Sequence, residues 1–163
     1  MMETFRWTDY IDEKNISVNF EAKDKNDAIA KMIDMLYNSG AISDRAEFSD
    51  SVFSREDLGS TGIGEEVAMP HGKSQVVRNM AVAIARLTTP LDFDSVDKKP
   101  VKFIFMIASP TGSDSLYIKV MASIIRGVKM QDICRKMQAL GTPFEIFNML
   151  KSEYPQAAVR SVS

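Results

Sequence analysis

The chemistry available to this chain centres on His71, the only histidine among its 163 residues. A neutral imidazole can attack a phosphorus atom when one ring nitrogen is unprotonated and exposed. The other nitrogen then needs a hydrogen-bond partner that fixes the tautomer and orients the ring. The oxygens of the incoming phosphoryl group require backbone N–H groups, hydroxyls or a guanidinium as donors. These requirements decide which neighbours of His71 matter.

The segment that leads to His71 offers such donors. Ser60, Thr61 and the amides around Gly62 and Gly64 are predicted to form a permissive glycine-rich loop. Their N–H and O–H groups can donate to phosphate oxygens. This loop is therefore the predicted phosphate cradle.

Charged residues flank the same loop. Arg55 precedes it and presents a planar fork of N–H groups that matches phosphate. Lys73 is a second nearby cation, and Glu65 is predicted to accept a hydrogen bond that holds the loop. Gly72 follows His71 and is predicted to leave the backbone beside the imidazole uncovered for a partner protein.

A structural interpretation of these residues stays open at this level. A lone histidine is often structural, the glycine-rich segment could be a simple turn, and Arg55 and Lys73 could be ordinary surface charges. No Gly-Lys-Ser/Thr follows the glycines, so the loop is not a Walker loop. The functional interpretation gains its force because all these elements fall within residues 55–73.

Composition excludes several other functions. Apolar residues make up 45% of the chain, charged residues 26%, and the formal net charge is −2, which gives no electrostatic case for nucleic acid or an anionic membrane. No apolar run is long enough for direct membrane insertion, and residues 1–12 lack the pattern of a signal peptide. With one cysteine and one histidine, neither a disulfide framework nor a Cys/His zinc site is expected. These features predict a cytoplasmic protein.

Hydrophobic periodicity predicts the elements that position the site. The predicted helices are residues 24–38, 44–55, 114–128, 131–140 and 143–150, with Asp24 and Thr142 as N-caps. The predicted strands are residues 16–20, 80–87 and 101–108, and residues 59–73 and 90–100 are predicted loops. Pro70 favours an extended Met69 and should set His71 at a strand end.

This alternation indicates an α/β protein with helices packed on a central sheet. Its length suits a single domain, predicted to cover residues 1–151, with a flexible C-terminal tail over residues 152–163.

Residues 55–73 resemble the active-site signature of IIA domains from the bacterial sugar phosphotransferase system, mannitol/fructose class, which includes a nitrogen-regulatory branch. The motif consists of Arg55, Ser60-Thr61-Gly62-Ile63-Gly64 and Ala68-Met69-Pro70-His71-Gly72-Lys73. Similarity continues through residues 81–87, 90–91, 100–108 and the helix after Pro110, and so covers residues 5–150.

The resemblance implies a mixed sheet with helices on both faces and a phosphotransferase that needs neither metal nor other cofactor. It implies that His71 accepts a phosphoryl group on Nε2 from a phosphohistidine of the carrier HPr, with Arg55 facing the phosphate. In transport members the group then passes to a cysteine of a IIB component. The alternative is a regulatory module whose phosphorylation state controls which protein it binds. The sequence leaves open which sugar is involved, and also leaves a weak homodimer as an alternative to a monomer.

Tyr117 departs from the family pattern. Many relatives carry a second active-site histidine near the start of the helix after Pro110, and Tyr117 stands at that place here. Its hydroxyl can donate to a phosphate oxygen, but it cannot become cationic near neutral pH. We therefore expect that His71 still accepts a phosphoryl group but with altered transfer energetics. The alternative is that Tyr117 only packs and has no role in transfer.

Cys134, on a predicted helix, is interpreted as a packed thiol.

Overall fold

The computed structural model describes residues 4–154 and 157–158. Helices and strands alternate along these residues as predicted. The helices are α1 (Lys25–Asn38), α2 (Arg45–Asp57), α3 (Asp114–Met130), α4 (Ile133–Gln138) and α5 (Pro143–Glu153), with a short 3₁₀ helix at Trp7–Tyr10. The strands are β1 (Thr4–Phe5), β2 (Ile11–Phe20), β3 (Gly62–Gly64), β4 (Val67–Ala68), β5 (His71–Lys73), β6 (Ala81–Leu91), β7 (Val101–Ser109) and β8 (Ala157–Ala158).

Side-chain caps fix where three helices begin. Asp24 accepts a hydrogen bond from the backbone N–H of Asp27 at 2.8 Å, ahead of α1. Thr142 accepts one from Glu145 at 3.1 Å, ahead of α5. Both predicted N-caps are confirmed, and Asp44 caps α2 in the same way.

The main sheet has the strand order β2-β6-β7-β4-β3, and β5 also pairs with β7. Strand β2 is parallel to β6, β6 is antiparallel to β7, and β4 and β5 are both parallel to β7. The mixed sheet that the resemblance implied is therefore confirmed.

Helices cover both faces of this sheet. On β7, Phe103, Phe105 and Ile107 pack into one cluster with α3, α4 and α5. Ile104 and Met106 point the opposite way and pack with α1 and α2. The alternation follows from the period of two along a strand, and it produces an α/β protein with three layers.

Strands β4 and β5 are two parts of one extended segment beside β7. Val67 pairs with Phe103 and His71 pairs with Ile107, so the register keeps the same offset across the break. The break falls at Pro70, which has no N–H but still accepts a hydrogen bond from Ile107 at 3.0 Å. His71 thus begins a strand and shares the face of Ile107, which is the face covered by α3.

Several predicted boundaries differ from the structure. Strand β2 begins at Ile11 rather than residue 16, and β6 continues to Leu91 into the predicted loop 90–100. The predicted loop 59–73 contains the short strands β3, β4 and β5. Its backbone runs beside β7 and inside the core, where N–H and C=O groups must find partners.

The folded part of the chain continues past residue 150, where the last helix was predicted to end. Helix α5 continues to Glu153, and the side chain of Tyr154 is buried. Ala157 and Ala158 pair with β1. The other residues of the predicted tail, 155–156 and 159–163, lie outside the described part of the chain, and the division at residue 151 stays a prediction.

Within the described residues, no helix combines the length and the apolar character that crossing a membrane requires.

Candidate functional site

The first residue of β5, His71, has its ring orientation fixed by its own backbone. Nδ1 lies 3.0 Å from the carbonyl oxygen of Met69. A carbonyl can only accept a hydrogen bond, so Nδ1 carries the proton and Nε2 keeps its lone pair. The sequence predicted a hydrogen-bond partner for one ring nitrogen. In the structure this partner is the backbone carbonyl of Met69, which precedes Pro70.

The surroundings of His71 keep the imidazole neutral. Burial is the main cause that lowers the pKa of His71 below its ordinary value of 6.5. The hydrogen bond to Met69 opposes this shift, while the positive charge of Arg55 adds to it. The net result favours the unprotonated, nucleophilic form of Nε2 near neutral pH.

Arg55 is close enough to His71 for its positive charge to act on the imidazole. It occupies the last turn of α2, and its Nη1 donates to the carbonyl oxygen of Gly59 at 2.8 Å. Its charge helps to lower the pKa of His71, and it opposes the larger effect of burial, which raises the pKa of Tyr117. One bond fixes the guanidinium while its other N–H groups are suited to an anion.

Tyr117 is next to the imidazole on the α3 side. The two ring centroids are 5.3 Å apart with 43° between the planes. The Tyr117 hydroxyl donates to Met121 Sδ at 3.4 Å, a weak acceptor, and burial raises its pKa. Tyr117 therefore packs next to the His71 ring, and its role in transfer stays a prediction.

Lys73 completes this side of the site. Its Nζ lies 2.7 Å from Asp114 Oδ1 and 4.9 Å from the centroid of the Tyr117 ring. Both partners of this ion pair are well exposed, so the pair contributes little to stability. It is a cation beside His71, as predicted, and it is held by the first turn of α3.

The hydroxyls of Ser60 and Thr61 are used differently from the prediction. Thr61 is buried, its amide donates to Glu56 Oε2 at 2.8 Å, and its hydroxyl donates to Oε1 at 2.6 Å. Ser60 Oγ donates to the carbonyl oxygen of Phe93 and accepts from the amide of Gly62. The predicted phosphate donors therefore hold the loop, because both hydroxyls already have protein partners.

The glycines of this loop permit close packing and a tight turn. A Cβ on Gly62 would lie 2.9 Å from the backbone Cα of Ser95, and Gly64 has a φ of +89°. The turn between β3 and β4 is made by Glu65 and Glu66, both at positive φ.

Glu65 supports the loop, but through its backbone amide, which donates to Asp97 Oδ2 at 3.2 Å. The predicted role of its carboxylate is thus replaced by a main-chain contact.

Gly72 was predicted to leave the backbone open to a partner, and this interpretation is wrong. The residue is buried against α2, where a Cβ would lie 2.9 Å from both Ser51 Oγ and Val52 Cγ2. It faces α2 because it pairs with Ala108, which points to that side of the sheet. Gly72 therefore allows β5 to approach the helix.

Glu56 is a site residue that the sequence reasoning missed. It lies four residues after Val52 and eight after Phe48, so the helical repeat places it on the buried face of α2. That spacing is the signal that could have identified it, because a carboxylate on an apolar helix face must have partners.

Cys134 is a packed thiol, as interpreted from the sequence. Burial is the main cause that raises its pKa to about 12, and the nearby Glu66 and Glu65 act in the same direction. At neutral pH the group is a thiol and a poor nucleophile.

Comparisons with known proteins identify the family of this chain. The family model described as "Phosphoenolpyruvate-dependent sugar phosphotransferase system, EIIA 2" matches residues 9–153. The chain is 30% identical over 130 residues to the fructose-specific EIIABC component of Bacillus subtilis, which covers 80% of the chain but 20% of that relative. It therefore spans about a fifth of the length of that larger protein.

Two nitrogen regulatory proteins are similar to this chain over nearly their whole length. The protein from Bradyrhizobium diazoefficiens is 31% identical over 143 residues, which is 88% of this chain and 93% of the relative. The crystal structure of Nitrogen Regulatory Protein IIA-Ntr from Neisseria meningitidis superposes with a TM-score of 0.80 at 26% identity, covering 88% of this chain and 97% of that one. With its His71 site, its mixed sheet and a match over residues 9–153, the chain belongs to the EIIA 2 family of the sugar phosphotransferase system, a family of phosphotransferase components.

Proposed function

We propose that Nε2 of His71 accepts a phosphoryl group from the phosphohistidine of an HPr-type carrier protein and passes it to a IIB component of a sugar transport system. The observation that carries this proposal is the 3.0 Å contact between Nδ1 and the carbonyl oxygen of Met69. It leaves Nε2 unprotonated and able to attack phosphorus.

The transfer follows from the named groups. The Nε2 lone pair forms a bond to phosphorus while the P–N bond of the donor breaks, and the electron pair of that bond returns to the donor imidazole. His71 keeps its Nδ1 proton, and the Met69 carbonyl stabilises the positive charge that the ring acquires. Arg55 offsets the charge of the phosphoryl oxygens. Tyr117 donates its hydroxyl to one of them once it leaves the weak sulfur acceptor.

A regulatory role is the second candidate, because nitrogen regulatory proteins are among the relatives of this chain. In this alternative, phosphorylation of His71 adds charge at the site and controls binding to a regulated protein. Both candidates use the same first step and differ in the recipient.

The first test is phosphorylation in solution. The protein is incubated with phosphoenolpyruvate, Enzyme I and HPr, and its intact mass is measured. We expect a gain of one phosphoryl group that is labile in acid and absent in His71→Ala. No gain under conditions that label a known IIA protein would overturn the proposal.

Adding candidate recipients then separates the two roles. Loss of the phosphoryl group to a IIB protein supports transport, and binding that depends on phosphorylation, without transfer, supports regulation. The proposal locates the reaction in the cytoplasm. The proposal also includes a weak homodimer through exposed apolar side chains such as Leu58 and Ile118. Sedimentation at rising protein concentration tests it.

A further inference from the structure

A buried carboxylate lies behind the candidate site. Glu56 is 7% exposed, while Phe48 and Val52 on the same face of α2 are fully buried. An ionised carboxylate in such surroundings is costly unless hydrogen bonds and an opposite charge compensate for it. The groups that bind Glu56 therefore show which parts of the molecule this carboxylate holds together.

Three donors from two other segments converge on Glu56. Lys25, the first residue of α1, places Nζ 2.8 Å from Oε2. The amide of Thr61 donates to Oε2 at 2.8 Å, and its hydroxyl donates to Oε1 at 2.6 Å. Both carboxylate oxygens are occupied, so Glu56 joins α1 and α2 to the glycine-rich loop.

The same path continues to the imidazole. The carbonyl oxygen of Thr61 accepts a hydrogen bond from the amide of Met69 at 2.9 Å. The carbonyl oxygen of Met69 in turn lies 3.0 Å from Nδ1 of His71. Each peptide group on this path has a fixed partner, so a shift of Thr61 moves the carbonyl that selects the His71 tautomer. Hydrogen bonds therefore connect the Glu56 carboxylate to the carbonyl that accepts from Nδ1 of His71.

We propose that Glu56 is a positioning residue for phosphoryl transfer, acting with Lys25 through Thr61 and Met69 to hold His71 with Nε2 unprotonated. This inference rests on the proposed role of His71 as the acceptor. The ion pair and hydrogen bonds of the Glu56 carboxylate go to Lys25 and Thr61, and not to the imidazole. A displacement of about 1 Å in a reacting group can lower a rate about a hundredfold, so a remote support of this kind has a measurable effect.

Glu56→Gln is the informative substitution because it keeps the shape of the side chain and removes its charge. The matched control is Asp57→Asn, which makes the same change at the exposed neighbouring position of α2. Two quantities are measured for each variant. One is the tautomer of His71 in the unphosphorylated protein, from ring ¹⁵N chemical shifts, which a single histidine makes unambiguous. The other is the rate of transfer from phospho-HPr as a function of its concentration.

For Glu56→Gln we expect a mixed tautomer and a kcat lowered about tenfold to a hundredfold, with KM within about twofold of the wild type. Asp57→Asn should match the wild type in both. If Glu56→Gln fails to fold, Thr61→Val supplies the test, because it removes only the hydroxyl bond to Oε1 and should still mix the tautomers. A wild-type tautomer and kcat in the folded variant, or a lowered unfolding midpoint as the only change, would overturn the proposal. Failure of the proposed function looks different, since the wild-type protein itself would then not be labelled while the tautomer measurement still reports on Glu56.

Discussion

The two sides of His71 are held in contrasting ways. Behind the ring, buried groups form continuous hydrogen bonds from Glu56 through Thr61 to the carbonyl of Met69. In front of it, Tyr117 contacts the imidazole face and Lys73 forms an exposed ion pair. The buried side fixes the tautomer, and the open side has groups that can exchange weak partners for a phosphoryl group.

The two sides therefore have different roles. The buried side orients the His71 ring, and the open side stabilises the charge of the phosphoryl group. Orientation has to precede the reaction, so it is assigned to buried groups whose partners do not change. Charge stabilisation is needed only while the phosphoryl group is present, so exposed side chains at the rim suffice. Substitutions on the two sides should therefore have distinguishable effects.

Arg55→Ala tests charge stabilisation at the site and should have the largest effect. Loss of a positioned cation beside a transferring phosphoryl group lowers the rate about a hundredfold or more. Transfer from phospho-HPr is measured by quenched flow, with Arg45→Ala as the control because Arg45 lies at the other end of α2 in a surface ion pair with Asp34. A rate within threefold of the wild type would show that Arg55 does not face the phosphoryl group.

Gly72→Ala tests the packing of the buried side. The added methyl group would meet Ser51 and Val52 at 2.9 Å, and such overpacking lowers the free energy of unfolding by about 1–3 kcal/mol. Urea denaturation measures this change. Gly141→Ala is the control, since its nearest neighbour would be Glu145 Oε1 at 3.7 Å. Equal stability of the two variants would contradict the close approach of β5 to α2.

Tyr117→Phe tests whether the tyrosine hydroxyl takes part in transfer. A hydrogen bond to a charged group contributes about 1.5 kcal/mol, so its loss should slow transfer about tenfold. Tyr117→His should retain transfer, because an imidazole can also donate and can carry a positive charge. Unchanged rates in both variants would limit Tyr117 to packing against His71.

Titration of His71 should show the smallest but most specific effect. Burial lowers its pKa, so its NMR midpoint should fall below 6.5 and should rise in Arg55→Ala, where a positive charge is removed. As the pH falls, the unfolded chain is protonated before the folded one. The stabilising contribution of neutral His71 is therefore complete above pH 6.5 and is lost between 6.5 and the folded pKa. A midpoint at or above 6.5 would contradict the buried, neutral imidazole.

Local sequence patterns predicted most of the framework. The apolar spacing in α1 and α3 and the caps Asp24 and Thr142 are local features, and each appears where it was predicted. The apolar runs of β6 and β7 likewise identified the central strands. Boundaries were less predictable, because the ends of β2 and β6 depend on pairing with distant strands.

Contacts between distant segments explain what the sequence did not reveal at the site. His71 and Arg55 were identified from their types and spacing, but the acceptor for Nδ1 is a backbone carbonyl that no residue type indicates. Thr61 seemed available as a phosphate donor because its partner Glu56 lies in the preceding helix. Gly72 seemed open because the approach of α2 becomes visible only in three dimensions.

The most direct test of the central claim is the position of phosphorus on the His71 ring. Long-range ¹H–¹⁵N NMR of the phosphorylated, ¹⁵N-labelled protein distinguishes the two nitrogens, and the single histidine removes any ambiguity of assignment. The contact between Nδ1 and Met69 predicts phosphorus on Nε2 with the Nδ1 proton retained. Phosphorus on Nδ1, or a phosphorylated protein with an unmodified His71, would contradict this account.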